Sequence, residues 1–361
     1  MTTRVRRSAH LQLIAWITML CIAGSARADP PAELMHALNE HLAALPRAAS
    51  SVEPLSDTGT RLLQERIERL VHSLGETSSC QELSARSKLK LTSLGSSCRL
   101  KDSAGLFVIV RPNPRRWLVF GAPHPLADRA TARQALALFD ALDGAVAIVA
   151  SRHRRSQTVA PCSSTASPTG ATRIEADASH STSPYLVAGH GVARALTQHA
   201  FTAARDRWRF LEWHGMRDGS RARGCFVPAA NQPVDVFISE GGREPLAQPG
   251  FAHRLQRALA SRRSQSEVHG PGSDARCALN GGHNRLGRLI NQRWFEVSAS
   301  RAHYCALSLR PSQQTTGRFI HIEQRQASAQ ESIRSAAYWK SALRAAYDRA
   351  ALSLARSASS R

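Results

Sequence analysis

Four apolar stretches of the sequence run straight into residues that could do acid–base or metal chemistry. Trp117 to Phe120 leads into Gly121-Ala122-Pro123-His124-Pro125-Leu126-Ala127-Asp128. Arg209 to Trp213 leads into His214-Gly215, Val234 to Ile238 into Ser239-Glu240, and Arg318 to Ile322 into Glu323. Open α/β sheets bind ligands at the carboxyl ends of their strands, so these groups are expected along one edge. Two imidazoles and a carboxylate (His124, His214 and Asp128) make the donor set of a catalytic zinc, with a fourth position left for water. His124 and Asp128 are spaced i, i+4, so a helical turn between them points both side chains the same way. Glu323 is then the candidate general base that takes a proton from the attacking water. His321 alternates with Glu323 along one strand and is a candidate to support a ligand from behind.

Each residue also has a purely structural reading. His124 sits between two prolines and could be a turn histidine; Asp128 could cap the helix that starts near Thr131. Glu323 could pair with Arg325. Glu240 could bind metal, hold a ligand histidine or cap a loop. A second cluster, Asn280-Gly281-Gly282-His283-Asn284-Arg285-Leu286-Gly287-Arg288, has a glycine turn followed by a helix start or tight loop. Arg285 or Arg288, with Asn284, could hold a substrate carboxylate by bidentate hydrogen bonds, or brace the loop instead. The phosphate-loop sequence Gly-x-x-x-x-Gly-Lys is absent, and no Rossmann glycine fingerprint follows a first strand.

The elements that must position these groups alternate. Leu106 to Val110, Trp117 to Phe120, Ala145 to Ala150, Trp208 to Trp213, Val234 to Ile238 and Arg318 to Ile322 read as strands. Thr131 to Leu142, Val187 to Ala204, Phe251 to Ala260 and Glu331 to Ala355 read as helices. The polar stretch 152–182 reads as a long surface loop. The pattern predicts an α/β, three-layer domain over 103–361, with a mixed, mostly parallel sheet flanked by helices. Ahead of it, residues 29–102 are expected to be a helical N-terminal extension, with helices over Ala32–Leu45 and Thr58–Leu74, the latter capped by Asp57.

Residues 1–28 read as a secretory signal peptide: a basic start (Arg4, Arg6, Arg7), an apolar run from Leu11 to Gly24, and Ala26-Arg27-Ala28 as cleavage site. Cleavage near Ala28 would place the mature chain in the periplasm or outside the cell, with no later stretch of membrane-spanning length. Six cysteines then meet an oxidising compartment. Cys80 and Cys98 are expected partners, because both lie in a short segment between polar turns; the pairing of Cys162, Cys225, Cys277 and Cys305 stays open.

The chain of 361 residues carries 48 Lys+Arg against 27 Asp+Glu, a formal net charge of +21. Four of those arginines fall in the leader, which has no acid, leaving about +17 for the mature chain. The basic residues are almost all arginine and are dispersed, so charge alone does not specify nucleic acid. Aromatic residues at 6% also argue against a base-stacking surface.

Pro123-His124-Pro125-Leu126-Ala127-Asp128-Arg129-Ala130-Thr131, His214-Gly215 after an apolar strand, and Phe319-Ile320-His321-Ile322-Glu323 resemble zinc-dependent hydrolases of the metallocarboxypeptidase-like (phosphorylase/hydrolase-like) fold. N-formylglutamate amidohydrolases and poly-γ-glutamate hydrolases are similar in this respect. The resemblance covers roughly 103–340. It implies a mixed eight-stranded sheet between helices and one catalytic zinc per chain. It also implies His124 and Asp128 as the first ligand pair, His214 as the later ligand and Glu323 as base. Two departures stand out. The family uses His-x-x-Glu, whereas here the acid is Asp and one residue further on. Its substrate-binding Asn-Arg precedes the last zinc histidine, whereas Asn284-Arg285 follows His214.

The resulting expectation is an exported zinc-dependent amidohydrolase or peptidase-like enzyme acting on an amide bond in an acidic, peptide-like or cell-wall substrate. The alternative is a non-catalytic exported protein that binds an anionic polymer on a degenerate hydrolase fold. A disulfide-bonded structural protein of the envelope is a third reading, but it gives the strand-end histidines no task.

Overall fold

The computed structural model describes residues 31–46, 55–101, 105–128, 130–154, 156–159, 173–175, 183–216, 225–228, 232–242, 250–262, 267–271, 273–277, 281–282, 284–292, 304, 315–325 and 336–359. The expected signal peptide, His283, Cys162 and Cys305 lie outside them. The strands are β1 (Leu91–Leu94), β2 (Ser97–Lys101), β3 (Phe107–Val110), β4 (Arg116–Ala122), β5 (Gly144–Val149), β6 (Gln157–Val159), β7 (Arg173–Glu175), β8 (Arg209–Met216), β9 (Cys225–Val227), β10 (Gln232–Pro233), β11 (Val236–Ser239), β12 (Val268–His269), β13 (Arg276–Cys277) and β14 (Phe319–Arg325). The helices are α1 (Ala32–Ala44), α2 (Asp57–His72), α3 (Cys80–Ser87), α4 (Thr131–Ala141), α5 (Pro184–Thr197), α6 (Thr202–Arg207), α7 (Phe251–Ala260), α8 (Arg285–Asn291) and α9 (Ala336–Ser359).

Nine strands form one mixed sheet in the order β1–β2–β3–β5–β4–β8–β14–β11–β12, one strand more than the resemblance implied. Its centre, β5–β4–β8–β14, is parallel throughout. On one side of that centre the sheet continues through antiparallel β3, β2 and β1; on the other it continues through β11, which runs antiparallel to β14, and β12, which is parallel to β11. β5 shows why the centre is parallel: every residue of Gly-Ala-Val-Ala-Ile-Val is buried, as expected of a strand covered on both faces. The β4–α4–β5 segment is the crossover unit read from the sequence.

Side-chain alternation splits the core into two layers. Trp117 and Val119 of β4, Phe210 of β8 and Phe319 of β14 pack with α2, α5 and α8. Leu118 and Phe120, Leu211 and Trp213, and Ile320 and Ile322 pack with α1, α4, α7 and α9. In α9 the buried residues Trp339, Ala342, Leu343, Ala346 and Tyr347 repeat at helical spacing, which places one stripe on the sheet.

Several local expectations need correction. Ser56, not Asp57, caps α2: its hydroxyl accepts the Gly59 amide at 3.1 Å. Asp57 instead sits in the first turn, where its charge favours the helix dipole. The helix expected over Val187–Ala204 is two helices. It starts at Pro184, after a Ser183 cap, and ends at Thr197; α6 follows separately. The N-terminal region is helical through α3, then supplies β1 and β2 to the main sheet. Within the expected 152–182 loop, β6 and β7 pair as an antiparallel ribbon.

Two disulfides are present among the described residues. Cys80–Cys98 ties α3 to β2. Cys225–Cys277 joins β9 to β13, whose residues stand opposite each other in a small three-stranded sheet with β10.

Candidate metal centre

β4 ends at Ala122, and the chain then makes a single turn closed by the Asp128 amide donating to the His124 carbonyl at 2.9 Å. That turn gives the i, i+4 pair a common direction. Asp128 does not cap α4; Ala130 occupies the cap position with φ 66°, and no side chain caps the helix there. His124 Nδ1 lies 3.1 Å from Asp128 Oδ2. His214, near the end of β8, brings its Nδ1 to 3.2 Å from His124 Nδ1 and 3.4 Å from Asp128 Oδ2.

These three separations test whether a metal fits. Ligands about 2.0–2.1 Å from a tetrahedral zinc stand about 3.3–3.4 Å from one another. Two imidazole nitrogens and one carboxylate oxygen at 3.1–3.4 Å match that triangle in size, and the donor types are those of catalytic zinc. All three residues are buried. A second group, Glu212, His214 and His321, also converges. Both Glu212 oxygens already accept hydrogen bonds, however, from Tyr185 on one side and from His214 and Asn284 on the other.

β14 lies parallel to β8, with Glu323 opposite His214, His321 opposite Glu212 and Phe319 opposite Phe210. The even spacing puts Glu212, His214, His321 and Glu323 on the face that packs toward α5 and α8. His321 stacks near His214, with ring centroids 4.4 Å apart, and its Nε2 lies 3.8 Å from Glu323 Oε1. Arg325 pairs with Asp235 at 3.4 Å.

The charges in this space follow from burial and neighbours. Burial pushes the Glu323 carboxyl up to about 7, against the pull of His214 and with the help of the Asp128 charge. Burial alone would also raise Asp128; the charge and hydrogen bonds of His124 and His214 outweigh it and hold the carboxyl well below the usual range. Burial would lower His214, yet hydrogen bonds to Asp128 and Glu212 raise its imidazole well above the ordinary value.

The other sequence candidates take different places. Glu240 is not brought to the cluster. β11 runs antiparallel to β14, so its end points to the opposite pole of the sheet, where Glu240 accepts from the Thr315 hydroxyl at 2.7 Å. Asn284 is buried as the cap of α8: its Oδ1 accepts the Gly287 amide at 2.9 Å while its Nδ2 donates to Glu212. Arg285 donates to the Tyr304 carbonyl at 3.2 Å, and buried Arg288 donates through Nε to the Gly282 carbonyl at 3.0 Å. Outside this candidate set, His190 of α5 hydrogen-bonds the Tyr304 hydroxyl at 3.0 Å.

Three contributors were not singled out from the sequence. Glu212 is one; a carboxylate inside an apolar strand two residues before a candidate ligand was the available signal. Tyr185 is the second, and nothing local marks it. Arg154 is the third: it follows β5, lies 40% exposed, and reaches Asp128 Oδ1 at 3.5 Å. Its signal was position alone, at the end of a strand adjoining β4. No protein-family model matches the chain, and no curated protein is significantly similar to it.

Proposed function

We propose that this chain is an exported zinc-dependent hydrolase that cleaves an amide bond in an anionic, peptide-like or cell-wall substrate. One observation carries the reading: three buried donors converge at 3.1–3.4 Å while a separate buried carboxyl, Glu323, faces His214 from the neighbouring strand. His124, Asp128 and His214 would hold the metal, and zinc bound there supplies Lewis-acid polarisation of the scissile carbonyl. Glu323 accepts a proton from the attacking water and returns it to the leaving amine. A carboxyl poised near 7 suits both halves of that task at neutral pH. Arg154 places a positive charge on the outer side of Asp128, which favours an anionic group on the substrate. Two disulfides favour an oxidising compartment, and no helix among the described residues is long and apolar enough to cross a membrane.

The test is Glu323→Gln, assayed on a panel of N-acyl amino acids, glutamyl peptides and peptidoglycan stem peptides. The wild type is expected to turn over a member of the panel. The variant should keep its metal and lose about 10²–10⁴-fold in turnover, the span of a general base. Unchanged turnover would remove Glu323 from the reaction. A metal-free wild type that binds anionic polymers with steep salt dependence would replace the hydrolase reading with polymer binding.

A further inference from the structure

We infer that Glu212 is a positioning residue of the metal centre, fixing which nitrogen of His214 faces His124 and Asp128, and that Tyr185 and Asn284 hold it in place. The inference rests on the metal-centre reading above. Glu212 has no exposed surface, and it precedes His214 by two residues on β8, so both project from the same face. Its Oε1 lies 2.9 Å from His214 Nε2. An ionised carboxylate only accepts, so the His214 proton belongs on Nε2. When the ring gives up its other proton, as a metal ligand must, the lone pair is on Nδ1, the atom turned toward His124 and Asp128.

The carboxylate is itself constrained. Tyr185 Oη, from α5, donates to Oε2 at 3.1 Å, and Asn284 Nδ2 donates to Oε1. A fully buried carboxyl group needs such partners, because no solvent satisfies its oxygens. Two further features serve this arrangement. Gly121, inside β4, is where an added Cβ would strike the Tyr185 hydroxyl and the Phe210 ring; only glycine lets the phenol approach there. Asn284 works at both ends of its amide, capping α8 through Oδ1 and holding Glu212 through Nδ2. One residue thus links the start of α8 to the orientation of His214. A purely structural role for Glu212 would place these donors without regard to the Nδ1 side of the ring.

The experiment measures zinc affinity of the full-length protein by competition with a chromophoric chelator, and the visible spectrum of the cobalt(II)-loaded form. Wild type is compared with Glu212→Gln, Tyr185→Phe and Asn284→Asp. Asn284→Asp keeps an acceptor for the Gly287 amide but turns a carboxylate toward Glu212. Glu212→Gln and Asn284→Asp are expected to lose about 10–100-fold in zinc affinity and to shift the cobalt bands. Each change disturbs a buried polar contact, so the metal-free variants are expected to melt somewhat below wild type, and affinities and spectra are compared among variants whose melting remains cooperative. If Glu212→Gln does not fold, Asn284→Asp and Tyr185→Phe decide the question by the same readouts. Wild-type affinity and an unchanged cobalt spectrum in the folded variants would overturn the positioning role while leaving the metal centre intact. A wild-type protein that takes up no metal would overturn both.

Discussion

Gln134 on α4 and Gln324 on β14 form a reciprocal amide pair, each donating to the other at 3.0 and 2.9 Å. They are 4% and 1% exposed. The pair bridges the two elements that flank the candidate metal site. α4 begins just after the His124–Asp128 turn, and Gln324 is the neighbour of Glu323. Gln134→Met, close to isosteric, removes both hydrogen bonds and takes away the partners of a buried donor and a buried acceptor on Gln324. Each stranded group costs about 1–3 kcal/mol, so the single change is expected to destabilise by about 2–6 kcal/mol. Replacing both glutamines by methionine removes the stranded groups with their partner, and such a double replacement is close to neutral. The double variant should therefore be more stable than either single one. Guanidinium denaturation of the four members of the cycle reads this directly, provided the slope of the transition is unchanged. A double variant destabilised by the sum of the two single effects would refute the reasoning.

Two further outcomes are expected. Burial lowers the His41 imidazole, against the raising effect of its contact with the Ala150 carbonyl at 3.4 Å. The folded state then binds fewer protons than the unfolded state below about pH 6.5, so stability falls as the pH drops through that value. His41→Gln should match wild type at pH 8 and lose less on going to pH 5, with His72 and His199, also lowered chiefly by burial, keeping part of the slope; an identical slope would argue against the buried neutral ring. Cys80–Cys98 closes a loop with a sequence separation of 18, so Cys80→Ser/Cys98→Ser should lose about 3 kcal/mol in denaturation, whereas an unchanged midpoint would mean the link does not constrain the unfolded chain.

What the sequence made legible was local. Apolar runs such as Ala145 to Ala150 announce buried strands, because a strand covered on both faces leaves little room for polar residues. The His124–Asp128 spacing and the His214 strand end were readable because a turn and a strand each fix side-chain direction over a few residues. What escaped depends on pairing across distance. Nothing within Val234 to Glu240 says that the strand runs antiparallel to β14, and that direction alone carries Glu240 to the far pole. β1 and β2 escaped because Thr92, Ser93 and Arg99 interrupt the apolar pattern at the sheet edge. Glu212 was concealed inside an apolar strand, since its partners come from α5 and from the cap of α8. Asn284 and Arg285 read as ligand-binding groups because their residue types suit that task. Their actual contacts, a helix cap with a carboxylate partner and the Tyr304 carbonyl, are set by tertiary placement.

The central claim is that His124, Asp128 and His214 hold one metal ion. Elemental analysis of the purified protein, exchanged against zinc and then freed of loosely held ions, tests it most directly. The account predicts one zinc per chain in the wild type, and loss of that zinc in both His124→Ala and His214→Ala while the proteins remain folded by circular dichroism. A wild type without metal, or folded variants that retain a full equivalent, would contradict it.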